Sequence, residues 1–433
     1  MVAASAREPL GPVHPLRSAA GAPAAGAHAA AGAHAAASLE SALGRRLRSE
    51  PGDLLRGRSA RVVLDAGDGG CWSVELRRGR PITWSRGSGR GATTRVQADL
   101  ATLTALVDGR LSGVRAFLDG DVTVRGDVGL ALALDGVFVH EERDETWART
   151  RLVRPRVGRG TLATATIGAG DYDAPPVVLL HGLGATAASL LPLQWELARD
   201  HRVEAPDMPG FGDSARPRGR YDPAFFVRWL RGYLDVLGID RCVLVGNSLG
   251  GRVAIEAGLA IPDRVQSLVL LCPSPAFRRV RQLVPIVRLI PSGLARVPTW
   301  IPHAIVVEAV RSMMSVPDRL PASWYHAGAD EFQRVWRHPA ARRAFLAAAR
   351  QIYLEEAYGE RGFWDRLPQL SVPALFLWGD RDRLVPAGFA RHVARALPSS
   401  TSVVLTDCGH VPQMELPDET AAVVRGFLAG LHA

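Results

Sequence analysis

Lysine is absent from this 433-residue chain, so all 52 of its Lys/Arg positions are arginine and the formal net charge of +9 rests on guanidinium groups. A phosphate-cradling P-loop lysine and a Schiff-base lysine are thereby excluded. Cysteine is scarce: Cys71, Cys242, Cys272 and Cys408 are far apart and form no C-x-x-C pair. Buried thiols in a reducing compartment are the expectation, and the chain is read as cytoplasmic. No stretch reaches the roughly 18 apolar residues of a membrane span. Nor does the basic charge come with a groove-reading motif or an aromatic platform, so nucleic acid is not an expected partner.

What the chain has is enough apolar sequence, 47% of residues, to build two or three cores. The start differs. Residues 1–40 are dominated by Ala, Gly, Pro, Ser and His, with the near-repeat Gly26-Ala27-His28-Ala29-Ala30-Ala31 and Gly32-Ala33-His34-Ala35-Ala36-Ala37. This composition predicts an unstructured tail. Its prolines and histidines break up any apolar signal-peptide core, and two isolated imidazoles lack a closed ligand set. Neither a metal nor a cofactor is expected.

Residues 45–140 read as a small α+β unit. Arg61-Val62-Val63-Leu64-Asp65 and Trp72-Ser73-Val74-Glu75-Leu76-Arg77 are strand-like, the second alternating cleanly. A helix follows, with Asp99 placed to cap it and Gly109 to stop it. Then come the strand-like Asp121-Val122-Thr123-Val124-Arg125-Gly126-Asp127 and the apolar stretch 130–134. The pattern resembles the sterol-carrier-protein family of lipid-binding domains. That resemblance implies an apolar tunnel for sterols or acyl chains.

The charged residues 141–155 are expected to be a linker. From 155 to 433, strand-like runs alternate with helical ones, one of them delimited by Asp222, Pro223 and Gly238. Such alternation predicts a doubly wound parallel sheet, α/β in class, with its site at the carboxyl ends of the strands. Between 273 and 368 the alternation gives way to helical, proline-punctuated sequence, expected to be a cap. Its arginine-rich, acid-free part at 277–290 is a candidate contact with an anionic lipid surface.

Gly246-Asn247-Ser248-Leu249-Gly250 joins an apolar run to an alanine-rich one, the setting of a nucleophile elbow. Asp382 follows a later strand-like run, and His410 a later one still, giving the order Ser, Asp, His. Upstream, Val177-Val178-Leu179-Leu180 runs into His181-Gly182-Leu183-Gly184, a loop suited to an oxyanion hole. With Asp207-Met208-Pro209-Gly210-Phe211-Gly212-Asp213-Ser214, this set resembles the α/β-hydrolase superfamily, in its cap-bearing branch.

The resemblance implies that Ser248 is the nucleophile, His410 the general base and Asp382 its orienting acid, Asp382 rather than Asp380 because of its spacing from Gly379. Backbone N–H groups of Leu183 and Leu249 are the implied oxyanion donors. A serine at the elbow excludes the epoxide hydrolase and dehalogenase branches, which use aspartate there. The expected activity is cleavage of a carboxylic ester of an apolar, lipid-like substrate, with peripheral association with a lipid surface as an accompanying expectation. Carbon–carbon bond hydrolysis of a ring-cleavage product stands second, because that branch carries tryptophan where this chain has Val411. A lipid-binding protein with an idle hydrolase fold is the rival from another class.

Overall fold

The computed structural model describes residues 25–49, 59–139, 151–275 and 299–431, apart from short gaps at 78, 88–90, 133, 135–136, 159–161, 354–355 and 361. Strands β1 (Ala60–Asp65), β2 (Cys71–Leu76), β3 (Thr83–Arg86), β4 (Thr94–Gln97) and β5 (Thr123–Gly126) form a sheet in the order β3-β2-β1-β4-β5. Only β1 and β4 run parallel among its pairs. Alternate residues Val62 and Leu64 of β1, and Trp72, Val74 and Leu76 of β2, enter one core, as a period of two requires. Helices α1 (Ala25–Arg46), α2 (Leu100–Asp108), α3 (Gly113–Asp119) and α4 (Val128–Leu132) contribute to the same core. Asp99 caps α2 by accepting the N–H of Thr102 at 2.6 Å, and Gly109 ends it in the left-handed region at φ 78°.

The expected tail is corrected in its second half, because residues 25–40 belong to α1. Ala36, Leu39, Ala42 and Leu43 are buried, and Glu40 accepts the indole N–H of Trp72 at 3.0 Å. Alanine is the strongest helix former, and apolar residues at 36, 39 and 43 share one face. Compositional bias hid a helix that docks.

The second sheet has eight strands: β6 (Arg151–Val153), β9 (Thr166–Ala169), β10 (Pro176–Leu180), β11 (Arg202–Pro206), β12 (Cys242–Asn247), β13 (Val265–Leu271), β14 (Ala374–Gly379) and β15 (Thr401–Leu405). A separate ribbon pairs β7 (Arg156–Val157) with β8 (Leu162–Ala163). From β10 to β15 the neighbours are parallel, whereas β9 and β6 add an antiparallel edge. The end of the expected linker therefore returns as an edge strand. Helices α5 (Leu191–Leu197), α6 (Pro223–Val236) and α7 (Leu249–Ala260) supply the first crossovers.

Both faces of this sheet are covered, and the side chains divide accordingly. Val177, Val243 and Leu375 belong to one apolar cluster, while their neighbours Val178, Leu244 and Phe376 belong to the other. The first cluster is continuous with the core of the N-terminal domain. Between β13 and β14, where a cap is expected, stand the helices His303–Arg311, Ala322–Trp336, Pro339–Tyr353 and Phe363–Arg366. The arginine-rich segment 277–290 lies outside the described residues. No helix among the described residues is long and apolar enough to cross a membrane.

Candidate active site

Ser248 lies between the last residue of β12 and the first of α7, with φ 52° and ψ −110°. A left-handed conformation at a residue with a Cβ is sterically costly and persists only where the surroundings hold it. Here its N–H donates to Leu271 O at 3.0 Å, and its carbonyl accepts the N–H groups of Arg252 and Ser274, each at 3.0 Å. The turn has no space for side chains beside it. A Cβ on Gly246 would stand 2.4 Å from the Gly250 carbonyl, and one on Gly250 would stand 2.0 Å from Leu180 O. The serine hydroxyl is thus lifted to the carboxyl edge of the sheet, where Ser274 Oγ lies 3.3 Å from it.

His410 follows β15 and is buried, with Nδ1 2.7 Å from Oδ2 of the buried Asp382. A carboxylate only accepts, so Nδ1 carries the proton and Nε2 keeps its lone pair. Asp382 is itself aimed by the N–H groups of Leu384 and Val385, each 2.8 Å from Oδ1. Asp380 is exposed and serves the turn instead, accepting the N–H of Cys408 at 3.1 Å.

Three further contacts fix the histidine loop. Asn247 Nδ2 donates to His410 O at 3.0 Å, His410 N–H donates to Met313 O at 2.8 Å, and Gly409 N–H donates to Glu415 Oε2 at 2.7 Å. The other Glu415 oxygen accepts from Ser315 and Val316 of the cap at 2.8 and 2.7 Å. Serine and histidine loops are in this way tied to each other and to the cap. Among the described residues the hydroxyl of Ser248 bonds to Ser274 rather than to the imidazole. Serine–histidine bonds of free enzymes commonly tighten only when substrate arrives.

The loop after β10 passes beside the elbow, since a Cβ on Gly182 would lie 3.6 Å from that of Ser248. Leu183 is the next residue. Leu249 opens α7, where the first amide N–H groups have no acceptor within the helix. His181 is fully buried, which lowers its pKa and keeps it neutral; its Nε2 accepts the N–H of Met208 at 3.0 Å. Phe211 meets the His181 ring edge-on at 5.5 Å, so the loop 207–214 braces the loop that carries Leu183.

Cys272, with φ 44°, lies beside the Asp–His pair, and its sulfur, a carboxylate oxygen of Asp382 and a ring nitrogen of His410 lie within 4.8 Å of one another. Among the described residues these are the side chains arranged closely enough to hold a metal ion. Burial raises the Cys272 thiol well above its usual range and pushes Cys408 to about 12, so both sulfurs carry protons at neutral pH.

Ser274, Glu415 and the orienting role of Asn247 were not singled out by sequence. Asn247 stands inside the elbow motif, which was signal enough to ask what its amide holds. Ser274 and Glu415 are marked by no local pattern.

A family model described as alpha/beta hydrolase fold matches residues 175–417, and one for the SCP-2 sterol transfer family matches residues 42–139. A pimeloyl-[acyl-carrier protein] methyl ester esterase of Aeromonas salmonicida is 29% identical over 59% of this chain and 95% of its own length. A 2-hydroxy-6-oxo-2,4-heptadienoate hydrolase of Pseudomonas putida is 32% identical over 64% of this chain and 98% of its own. Among solved structures, a bacterial membrane phospholipase A is similar at 28% identity with a TM-score of 0.54, over 66% of this chain and 87% of that one. A 2-hydroxy-6-oxo-6-phenylhexa-2,4-dienoate hydrolase from a Rhodococcus species is similar at 26% identity with a TM-score of 0.54, over 65% and 99%.

Proposed function

Because the chain belongs to the alpha/beta hydrolase fold family, with an N-terminal domain of the SCP-2 sterol transfer family, we propose that it is a serine hydrolase cleaving a carboxylic ester of an apolar substrate. The observation that carries this reading is the buried His410–Asp382 pair, 2.7 Å apart, on a loop tied through Asn247 to the strained elbow of Ser248. His410 Nε2 takes the proton of Ser248 as Oγ attacks the carbonyl carbon, then returns it to the departing alcohol. Water repeats the sequence on the acyl-enzyme, releasing the acid and restoring the serine. The tetrahedral oxyanion is received by the N–H groups of Leu183 and Leu249.

In this reading the N-terminal domain binds an apolar lipid. Its cavity is lined by side chains such as Leu103, Phe117, Val122, Val128 and Leu132, with no polar side chain among the lining residues. A ligand rich in polar groups would leave them unpaired there. Domain boundaries near residues 36, 139 and 151 belong to this reading, supported by the burial of α1 from Ala36 and by the start of β6 at Arg151.

Carbon–carbon bond hydrolysis is the second reading, favoured by the names of the Pseudomonas and Rhodococcus relatives. The same three side chains would serve it. A panel of aryl and glyceryl esters of increasing chain length, run beside a dienoate ring-cleavage product and a fluorophosphonate probe, separates the readings. Turnover of esters alone supports the first, turnover of the dienoate alone supports the second, and no labelling of Ser248 refutes both.

A further inference from the structure

The walls of the N-terminal cavity are gripped by one helix of the cap. Phe117, which lines the cavity from α3, stacks on Trp324 of the helix Ala322–Trp336 with ring centroids 5.7 Å apart. The Trp324 indole N–H donates to Phe117 O at 3.0 Å. Strand β5, whose Val124 also lines the cavity, meets the same helix: Arg125 Nε donates to Asp330 Oδ2 at 2.6 Å, and the Gly126 N–H donates to that oxygen at 2.9 Å. Next in sequence, Asp127 accepts the N–H of Leu130 at 2.9 Å through Oδ1 and turns Oδ2 toward Arg334 at 3.6 Å. It therefore anchors α4, whose Val128, Ala131 and Leu132 form another wall.

The other contacts of this helix lead to the hydrolase site. Arg334 Nη1 donates to Asp213 Oδ1 at 2.8 Å, in the loop whose Phe211 braces His181. Phe332 and Trp336 stack at 5.3 Å, and Phe345 of the next cap helix stands edge-on to Trp336 at 5.4 Å. These rings roof the loop that carries Leu183: a Cβ on Gly184 would lie 2.8 Å from Phe345 and 3.5 Å from Phe332. Fifteen residues make a rigid rod about 22 Å long. Trp324, Asp330 and Arg334 clamp that rod to the N-terminal domain along its length, and Phe332 from the same rod faces Gly184 of the oxyanion loop.

We propose that the N-terminal cavity is an effector site, in which a bound alkyl chain changes turnover at Ser248 through the helix Ala322–Trp336. The proposal rests on the hydrolase reading of Ser248 and assigns the cavity a role other than delivery of substrate. Seating a chain between Phe117, Val128 and Leu132 displaces side chains that line the cavity. The stacked indole and the Asp127–Arg334–Asp213 chain transmit that displacement, because close-packed contacts shift between discrete arrangements rather than yielding smoothly. Coupling of this kind is reciprocal for binding.

The test uses the full chain and a long-chain fatty alcohol, which has no ester to cleave. Occupancy is followed by displacement of a pyrene-labelled fatty alcohol, turnover with a short water-soluble aryl acetate, and helix 322–336 by amide hydrogen exchange. The alcohol should change turnover about 5-fold or more, within the usual range of allosteric coupling, with the same half-saturation as probe displacement. Exchange over 322–336 should change in parallel. Ala131→Trp, which fills the cavity, should abolish both binding and response, and Asp330→Asn should keep binding but weaken the response. A reversible boronate at Ser248 should shift the affinity for the alcohol. The proposal is overturned if the alcohol binds the wild type with turnover and exchange unchanged, if it fails to bind, if Ala131→Trp still responds, or if Asp330→Asn couples like the wild type. Absence of turnover on every substrate would sink the hydrolase reading alone, because the exchange response reads the coupling without it.

Discussion

The side-chain amide of Asn247 donates to the backbone carbonyl of His410 at 3.0 Å across 163 residues of sequence. The residue that precedes the serine thus holds the loop that bears the histidine, and a second bond from the same nitrogen to Leu271 O, at 3.1 Å, fixes that amide in turn. Asn247→Ala should lower kcat far more than it raises KM, since it loosens the relation between the two groups proposed to react. Steady-state kinetics on one soluble ester decides this; an effect confined to KM would contradict it.

Ser248→Ala should reduce turnover by on the order of 10⁴-fold or more while the fold persists. Labelling by a fluorophosphonate should vanish with it. Stoichiometric labelling of the alanine variant would reassign the nucleophile.

The two aspartates of the turn after β14 should behave oppositely. Asp382→Asn removes the acceptor 2.7 Å from His410 Nδ1 and should cripple hydrolysis by about 10⁴-fold through the wrong tautomer. Asp380→Asn touches only the Cys408 N–H contact and should keep most activity. Reversed ranking would overturn the assignment of the acid.

Ser274 Oγ stands 3.3 Å from Ser248 Oγ, and Ser274 is buried. In the proposed mechanism its hydroxyl would donate to Ser248 Oγ once that oxygen has given its own proton to His410. One neutral hydrogen bond contributes about 0.5–1.5 kcal/mol, so Ser274→Ala should slow acylation by roughly 2- to 13-fold. Stopped-flow acylation rates that match the wild type would remove Ser274 from the chemistry.

Glu331 supplies a pH dependence. Together with Asp127 and Asp213 it crowds one guanidinium, that of Arg334, and burial pushes its pKa up to about 7 from an ordinary 4.5. The folded chain therefore holds a proton that the unfolded chain has released, and stability falls as pH rises from about 4.5 to about 7. Thermal unfolding of the wild type, referenced to Glu331→Gln, should show its difference shrink across that window and level off above it. A difference that grows with pH would mean that the carboxylate is ionised in the fold.

The site was legible where its chemistry is local. Gly246, Ser248 and Gly250 announce a turn that only small neighbours permit, and the family's spacing of the acid after a strand-ending glycine, carried to Gly379, points to Asp382. Asn247, Ser274 and Glu415 were less legible, because each is defined by a partner on another loop, and no short pattern encodes a contact such as Gly409 to Glu415 with cap residues 315 and 316. In the fold, the long apolar strands declared themselves, while short β6 and β9 did not. Helix α1 was missed because its alanines were read as bias. Leu39→Ala and Leu43→Ala each remove a fully buried side chain and should cost about 2–5 kcal/mol in the N-terminal domain.

Three of the four thiols, Cys242, Cys272 and Cys408, are sealed in the hydrolase domain, and burial holds all three in the protonated form. Cys71 is only half-buried, on the first sheet, with its sulfur 2.7 Å from Gly87 O. An alkylating dye applied to the native protein will therefore mark the N-terminal domain first, with no engineered mutation. Slower uptake at the other three sulfurs then becomes a clock for opening of the hydrolase domain, and the two modules can be timed separately in a single reaction.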